Sequence, residues 1–205
     1  MPPFIFDPIF SFKKELLFVS FAFLLALLLP IIAVIILTHT GIDAVSDRLV
    51  QYDETTKTIK LFYPNGSLYK EILVNVTWPV RGIVTNEFGT TVLPYYVFHS
   101  GIDIANPYGL IGDPITTFMP GTVTYEGEIF WGFGKHIIIN NGDNITSLYG
   151  HLDKIFVIRG QQVKPGDIIG LEGDTGWSTG PHLHFQINVF GIPVNPRIFV
   201  GEGNP

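Results

Sequence analysis

The chain has 205 residues, 46% of them hydrophobic, which allows one domain of ordinary size plus appendages. Its formal net charge of -6 argues against nucleic-acid binding, because proteins that bind nucleic acid carry an excess of Lys and Arg. It has no Cys, which excludes disulfides and thiolate metal sites, so any metal must be bound by imidazole and carboxylate groups.

The first predicted element is an apolar segment near the N-terminus. From Leu16 to Leu37 the chain has 22 residues without a formal charge, interrupted only by Pro30. A helix of this length spans a hydrocarbon core of about 30 Å, whereas the apolar region of a signal peptide is shorter. We therefore predict a transmembrane helix over residues 16–38, retained as a single anchor.

The charges on either side of this segment predict its orientation. Lys13 and Lys14 precede it, whereas Asp43 and Asp47 follow it. Cytoplasmic flanks of membrane helices carry an excess of Lys and Arg, which places residues 1–15 in the cytoplasm. The rest of the chain is then expected outside the cytoplasm, in a periplasm or at the cell surface.

A juxtamembrane linker and a β-hairpin are predicted over residues 39–78. Residues 39–56 are polar and show no regular pattern, which is typical of a linker. Asn65-Gly66 follows between two β-prone arms and is a type I′ turn signal, so we predict a hairpin over residues 57–74. Residues 79–205 are rich in Gly, Pro and aromatic residues with little helical pattern, which predicts an all-β domain.

Four of the six histidines lie in three short motifs of this domain. The motifs are HSGID from His99 to Asp103, YGHL with His151, and HLHF with His182 and His184. In HLHFQINV, apolar and polar residues alternate strictly, which predicts a strand with its apolar face in the core. Its two imidazoles then project together from the other face, which indicates a shared site.

These motifs supply the ligands of a metal site. His99 and Asp103 are four residues apart, and Gly101 between them permits a backbone path that turns both side chains toward one ion. With one imidazole from the strand, they form a set of two nitrogens and one carboxylate that suits zinc and leaves a position open for water. The alternative, in which Asp103 only caps a local turn, does not explain the paired histidines of the strand.

Together the motifs resemble the lysostaphin/LytM-type zinc metalloendopeptidase family. The resemblance covers about residues 79–200, from WPVRGIVTNEFG through GDTGWSTGPHLHF to GIPVNP. It implies a two-sheet antiparallel sandwich of the duplicated hybrid motif type and a zinc cofactor. It also implies that the substrate is the peptide cross-links of bacterial peptidoglycan, hydrolysed by zinc-activated water.

Carried over residue by residue, the resemblance also implies roles for the site residues. His99, Asp103 and His184 would bind zinc as its ligands. His151 and His182 would be catalytic, acting on water and substrate, and either imidazole could deliver the proton to the leaving amine.

The chain departs from the common family pattern in one loop. Thr90 and Thr91 follow Phe88-Gly89, where family members often place an Arg, and the loop that leads to His99 is short. Because this loop borders the groove, the sequence leaves open which cross-link is cleaved. Tyr95 and Tyr96 in the loop are interpreted as packing residues.

Two other functions remain as alternatives to the peptidase. One is a catalytically silent family member that activates other cell-wall hydrolases, and the intact set of five site residues argues against it. The other is a phosphotransfer domain with a related β-fold and paired histidines, and the HSGID motif with the predicted outward topology argues against that.

Overall fold

The computed structural model divides the chain into two compact units, Met1–Thr40 and Gly41–Pro205. One helix, α1 (Pro8–Leu49), begins in the first unit and ends in the second. The described residues are 8–73, 75–92 and 97–203.

In the first unit, the side chains of α1 from Leu16 to Leu29 are apolar or small and exposed. Among the residues that the structure describes, no helix combines the length and the hydropathy that a bilayer crossing requires. The side chains of residues 30–40 lie outside the described part of the chain. The transmembrane helix over residues 16–38 therefore stays a prediction from the sequence.

The last turns of α1 belong to the second unit and pack against its core. Leu49 is fully buried and Val45, one turn before it, contacts the same hydrophobic cluster. Ser46 between them is also buried, and its Oγ accepts the backbone N–H of Asn195 at 3.1 Å. Within the linker predicted over residues 39–56, the chain is therefore helical to Leu49 and continues into β1, because burial of this face extends the helix.

The second unit consists almost entirely of antiparallel β-strands. In chain order, its elements after α1 are β1 (Val50–Asp53), β2 (Thr58–Phe62), β3 (Leu68–Leu73), β4 (Ile83–Asn86), β5 (Thr91–Val92), β6 (Val97–Phe98), β7 (Ile102–Ala105), β8 (Pro114–Thr116), β9 (Gly121–Glu128), β10 (Lys135–Gly142), β11 (Ile145–Gly150), β12 (Lys154–Ile155), β13 (Gln162–Val163), β14 (Ile168–Leu171), β15 (Leu183–Val189), β16 (Ile192–Val194) and α2 (Arg197–Val200). The all-β prediction is confirmed for this unit.

The strands form one large sheet and three small ones. The eight-stranded sheet has the order β13-β9-β10-β11-β15-β7-β4, with β16 beside β15. Smaller sheets are formed by β1-β2-β3, by β12-β14-β8 and by β5-β6. In β15 the apolar residues Leu183, Phe185, Ile187 and Val189 are fully buried in the core, which confirms the predicted core-facing side. His184 and Gln186 on the other face are buried as well.

The predicted hairpin is formed by β2 and β3, but its turn differs from the predicted type. Gly66 has a positive φ of 86° whereas Asn65 is not among the residues with positive φ, so the turn is not type I′. The N–H of Tyr63 donates to Ser67 O and the N–H of Gly66 donates to Tyr63 O, both at 2.8 Å. Pro64 has no N–H and cannot complete the hydrogen-bonded pair of a two-residue hairpin, which explains the longer turn.

Glu172, next to the end of β14, is a buried carboxyl group with incomplete hydrogen bonding. The residue is fully buried, and its Oε2 has no hydrogen-bond partner among the described residues. Its Oε1 accepts only the backbone N–H of Asn106 at 3.4 Å. Burial raises the pKa of Glu172 to about 7, and the nearby Asp113 carboxylate acts in the same direction.

Replacing Glu172 with Gln tests the cost of this burial. The folded chain holds the Glu172 proton more tightly than the unfolded chain, so the free energy of unfolding falls as pH rises from 4.5 to about 7. Gln keeps the shape and has no charge to bury. We expect Glu172→Gln to raise the melting temperature at about pH 8 and to change it little at about pH 4.5.

Thermal unfolding followed by circular dichroism at both pH values measures this effect. Glu128→Gln, at an exposed position in β9, is the matched control and should show no such pH dependence. Equal shifts for Glu172→Gln at the two pH values would contradict the interpretation.

Candidate metal centre

Strand register places the central residues of the site in one row across four strands. Asn86 in β4 pairs with Asp103 in β7, Asp103 pairs with His184 in β15, and His184 pairs with Gly150 in β11. Directly opposed residues of neighbouring strands project from the same face of a sheet. The Asp103 carboxylate and the His184 imidazole therefore meet above the sheet, and His151 follows Gly150 at the same edge.

Three ligand atoms converge at this row. The Nε2 of His99 lies 3.0 Å from Asp103 Oδ1 and 3.1 Å from the Nδ1 of His184. The Nδ1 of His184 lies 2.9 Å from the same Asp103 oxygen. His99 and His184 are buried, and the Asp103 side chain is 14% exposed. Within the described residues, these three form the one group of His, Asp and Glu side chains positioned to hold a metal.

The spacing of these atoms fits a tetrahedral metal ion. Zinc bonded to nitrogen and oxygen at roughly 2.0–2.1 Å keeps neighbouring ligand atoms about 3.3 Å apart. The three observed separations, 2.9, 3.0 and 3.1 Å, are close to that value. Two imidazoles and one carboxylate also form a donor set that zinc prefers and that leaves one position open.

The chemistry of the three atoms favours a cation between them. The Glu87 carbonyl can only accept, so the His99 Nδ1 at 2.9 Å must donate its proton there, and the Nε2 of a neutral ring is then a lone pair. Burial opposes ionisation of Asp103, but the close contacts with His184 and His99 outweigh it and hold the pKa of the carboxyl well below its usual range. Asp103 is therefore ionised, and its oxygen faces an acceptor nitrogen.

The same site raises the pKa of His99. Burial acts to lower this pKa, but the hydrogen bond and the charge of Asp103 outweigh it. Burial lowers the pKa of His184. Because the buried carboxylate raises the pKa of a neighbouring imidazole, the space beside it favours positive charge. A divalent ion would supply such a charge.

His151 and His182 lie beside this cluster and are oriented by backbone carbonyls. The Nδ1 of His151 donates to Thr175 O at 2.7 Å, and the Nδ1 of His182 donates to Gly180 O at 2.8 Å. Their ring centroids are 4.6 Å apart, and the Nε2 of His182 is 3.7 Å from Asp103 Oδ1. Burial, with the neighbouring His182 and His184, lowers the pKa of His151 to about 4, so this ring is neutral at neutral pH.

The backbone at His151 adopts a conformation that few side chains tolerate. Its φ is 62°, in the left-handed region, where non-glycine residues are uncommon and often mark functional sites. The N–H of His151 donates to Phe133 O at 2.8 Å, and the Phe133 ring stacks on His184 with 5.2 Å between centroids. Phe133 therefore contacts both the His184 ring and the turn that presents His151, although the sequence pattern did not single it out.

Gly101 is needed for a close approach rather than for an unusual φ. A Cβ at this position would lie 2.3 Å from the carbonyl oxygen of Phe185 and 3.0 Å from Cε1 of His184. Gly173 and Gly176 are also crowded by neighbouring backbone, and Gly176 has in addition a positive φ of 75°. Gly180 has open space around it, and its contribution is the carbonyl that accepts from His182.

All five site residues predicted from the sequence lie together at this edge of the sheet. Sequence reasoning missed the backbone carbonyls of Glu87, Thr175 and Gly180 that orient three of the imidazoles. Only the Gly-rich GDTGWSTG stretch, which signals a tightly folded loop, could have indicated the latter two. Tyr95 and Tyr96 lie outside the described residues.

Sequence similarity agrees with this geometry. Residues 97–196 match the sequence profile of Peptidase family M23. The chain belongs to this family, as its motifs and its all-β fold indicated.

Its relatives include both enzymes and activators. Peptidoglycan DD-endopeptidase ShyA of Vibrio cholerae is 42% identical over 97 residues, which are 47% of this chain and 22% of that protein. Murein hydrolase activator NlpD of Salmonella typhimurium is 39% identical over 125 residues, 61% of this chain and 31% of that protein. This chain therefore spans less than a third of the length of these two relatives.

A solved structure shares the fold. The crystal structure of a zinc-containing peptidase from Vibrio cholerae matches with a TM-score of 0.56 and 30% identity. The match covers 72% of this chain and 47% of the other.

Substituting Gly101 tests how strictly the site depends on close packing. We expect Gly101→Ala to lower the free energy of unfolding by about 1–3 kcal/mol, because the added methyl group must displace the β15 backbone at Phe185. The same displacement would move His184, so metal affinity should fall as well.

Denaturant unfolding and metal titration measure the two effects. Gly180→Ala is the matched control in the same site, since nothing lies within 4 Å of its added Cβ. If both variants were equally stable and bound metal equally well, the close approach at Gly101 would not constrain the site.

Proposed function

We propose that this chain is a zinc metalloendopeptidase that hydrolyses peptide cross-links of bacterial peptidoglycan. The observation that carries the proposal is the convergence of His99, Asp103 and His184 with a second imidazole pair, His151 and His182, beside them. Membership of Peptidase family M23 and the similarity to a peptidoglycan DD-endopeptidase support the reaction and the substrate class.

His99, Asp103 and His184 are the proposed zinc ligands. They contribute two nitrogens and one carboxylate oxygen, and Asn86 Nδ2 donates to the other carboxylate oxygen of Asp103 at 3.3 Å. Such outer hydrogen bonds orient metal ligands and maintain their affinity. When bound, zinc supplies Lewis-acid activation of water and of the scissile carbonyl group.

His151 and His182 are the proposed catalytic residues. Because each Nδ1–H is held by a backbone carbonyl, each neutral ring offers Nε2 as its proton acceptor. Such a ring can take a proton from the attacking water and, once charged, donate it to the leaving amine. A charged or hydrogen-bonding imidazole also stabilises the developing oxyanion.

Two exposed tryptophans near these histidines could bind substrate without a basic surface. Trp131 and Trp177 are each about half exposed, and their ring centroids lie 6.1 Å apart. The N–H of Trp177 donates to Gly132 O at 2.8 Å, next to the Phe133 carbonyl that accepts from His151. Exposed aromatic side chains at the mouth of a site can bind a neutral peptide through apolar contact.

We also propose that the chain is anchored in the membrane with this domain outside the cytoplasm. The support is the uncharged run from Leu16 to Leu37, preceded by Lys13 and Lys14. Peptidoglycan lies outside the cytoplasmic membrane, so this location agrees with the proposed substrate. Added protease should digest the domain on intact spheroplasts, and protection of the domain would contradict this topology.

A second candidate is a role as an activator of other cell-wall hydrolases. The observation that favours it is the 39% identity to murein hydrolase activator NlpD over 61% of this chain. The two candidates differ in whether the purified chain itself binds metal and cuts peptidoglycan.

One experiment separates the two candidates. The metal content of the purified chain is measured by elemental analysis, and release of amines from purified peptidoglycan is followed with and without a chelator. Bound zinc together with chelator-sensitive release supports the peptidase. A metal-free, inactive chain that accelerates a second hydrolase would support the activator instead.

Single substitutions of the two strand histidines test the proposed division of roles. We expect His184→Ala to abolish both zinc binding and peptide hydrolysis, because the site would lose one of its three ligands. His182→Ala should keep zinc and lose at least about a hundredfold in kcat, the usual contribution of a general acid or base. Full turnover in both variants, or loss of zinc from His182→Ala, would show that the roles are wrongly assigned.

A further inference from the structure

We propose that Arg197, which is remote from the reacting atoms, is a positioning residue for the metal centre and acts on His99 through Glu87. The inference rests on the proposed function only in treating His99 as a metal ligand. It is carried by a continuous series of hydrogen bonds from α2 to the imidazole.

The first link is between His99 and the backbone of Glu87. The Nδ1–H of His99 donates to Glu87 O at 2.9 Å, so the position of this carbonyl sets the rotation of the ring. Glu87 lies just beyond the end of β4, outside the large sheet. Its carbonyl also accepts the hydroxyl of Thr90 at 2.7 Å, a contact within the same turn. The backbone of the turn is also paired with His99, through Gly89 N–H to His99 O at 2.9 Å and His99 N–H to Thr90 O at 3.0 Å. A contact to the Glu87 side chain adds a support from outside the turn.

The second link is the ion pair between Glu87 and Arg197. Arg197 Nη2 lies 2.6 Å from Glu87 Oε1, and Nε lies 3.2 Å from Oε2. The ion pair is therefore bidentate. Such a contact fixes the direction of the carboxylate as well as its distance. The Arg197 side chain is 9% exposed, whereas that of Glu87 is 48% exposed, so Arg197 is the buried and fixed partner.

Arg197 is itself held by several other groups. Its Nη1 donates to the carbonyls of Gly201 and Gly203, and its guanidinium lies over the Trp78 ring, 5.6 Å from the centroid. The backbone N–H of Arg197 donates to Asn195 Oδ1 at 3.0 Å. The contacts of the side chain depend on the planar, forked shape of the guanidinium, which the single ammonium of Lys cannot reproduce.

The structure therefore links the C-terminal α2 segment to the orientation of a metal ligand. If Arg197 only stabilised the fold, its loss would lower the melting temperature and leave the metal affinity of the folded chain unchanged. If it positions His99, its loss lowers metal affinity even when the chain is folded, because the imidazole must then be oriented during binding.

The test uses the full chain and the variants Arg197→Lys and Glu87→Ala. Zinc affinity is measured by competition with a chromogenic chelator at a temperature where each variant is folded. We expect both variants to bind zinc about tenfold more weakly, within the range seen when outer hydrogen bonds of metal ligands are removed. With peptidoglycan, we expect kcat to fall and KM to stay within error, since neither residue contacts substrate.

A double variant tests whether Arg197 acts through Glu87. If it does, Arg197→Lys combined with Glu87→Ala loses no more zinc affinity than either single variant, because one series of contacts is broken in all three. Additive losses would overturn the proposal. Lys70→Met is the control, since it removes the exposed Lys70–Asp143 ion pair, which has no contact with the site.

A metal-free measurement keeps this inference separate from the proposed function. The His99 Nδ1–H resonance of the wild-type chain should exchange slowly with water by nuclear magnetic resonance, and faster in both variants. Wild-type chain that binds zinc without peptidase activity would overturn the proposed function, while the affinity and exchange measurements would still test Arg197. Unchanged zinc affinity and exchange in Arg197→Lys, with only a lower melting temperature, would overturn the positioning role.

Discussion

The structure of the site depends on the register between β7 and β15, which places Asp103 directly opposite His184. That pairing brings an ionised oxygen within 2.9 Å of an imidazole nitrogen, and His99 adds a second nitrogen at 3.0 Å. Such a concentration of acceptors in a buried place is unfavourable without a shared positive charge. A shift of one residue along either strand would turn one partner to the opposite face and disperse the cluster.

The surrounding fold maintains this register from both sides. The apolar face of β15 is fully buried, so the strand cannot shift without exposing Phe185 and its neighbours. Gly101 lets the chain before β7 approach the Phe185 carbonyl closely, and Phe133 covers the His184 ring. The geometry of the site and the packing of the core are therefore properties of the same few residues, which explains why the motif contains small and aromatic residues beside the histidines.

Local pattern was sufficient to predict some of these features. The period of two in HLHFQINV predicted β15 and its buried face, because alternation is a property of the strand itself. Continuation of α1 to Leu49 was missed because it depends on burial against strands far along the chain. The hairpin was correct but its turn type was not, since Pro64 removes an N–H that the usual pair requires. Partners such as Thr175 for His151 depend on the exact path of a loop, and the Gly-rich stretch indicates only that the loop is tightly folded.

Three of the four site imidazoles have their Nδ1 satisfied by main-chain oxygens, at Glu87, Thr175 and Gly180, rather than by side chains. The backbone path therefore determines which ring nitrogen carries the proton. The side chains of the three residues that supply the carbonyl oxygens do not affect this choice. Those side chains can change while the protonation pattern of the centre stays the same. Homologues with divergent loops should accordingly retain the same ring orientations wherever the loop backbone is superimposable.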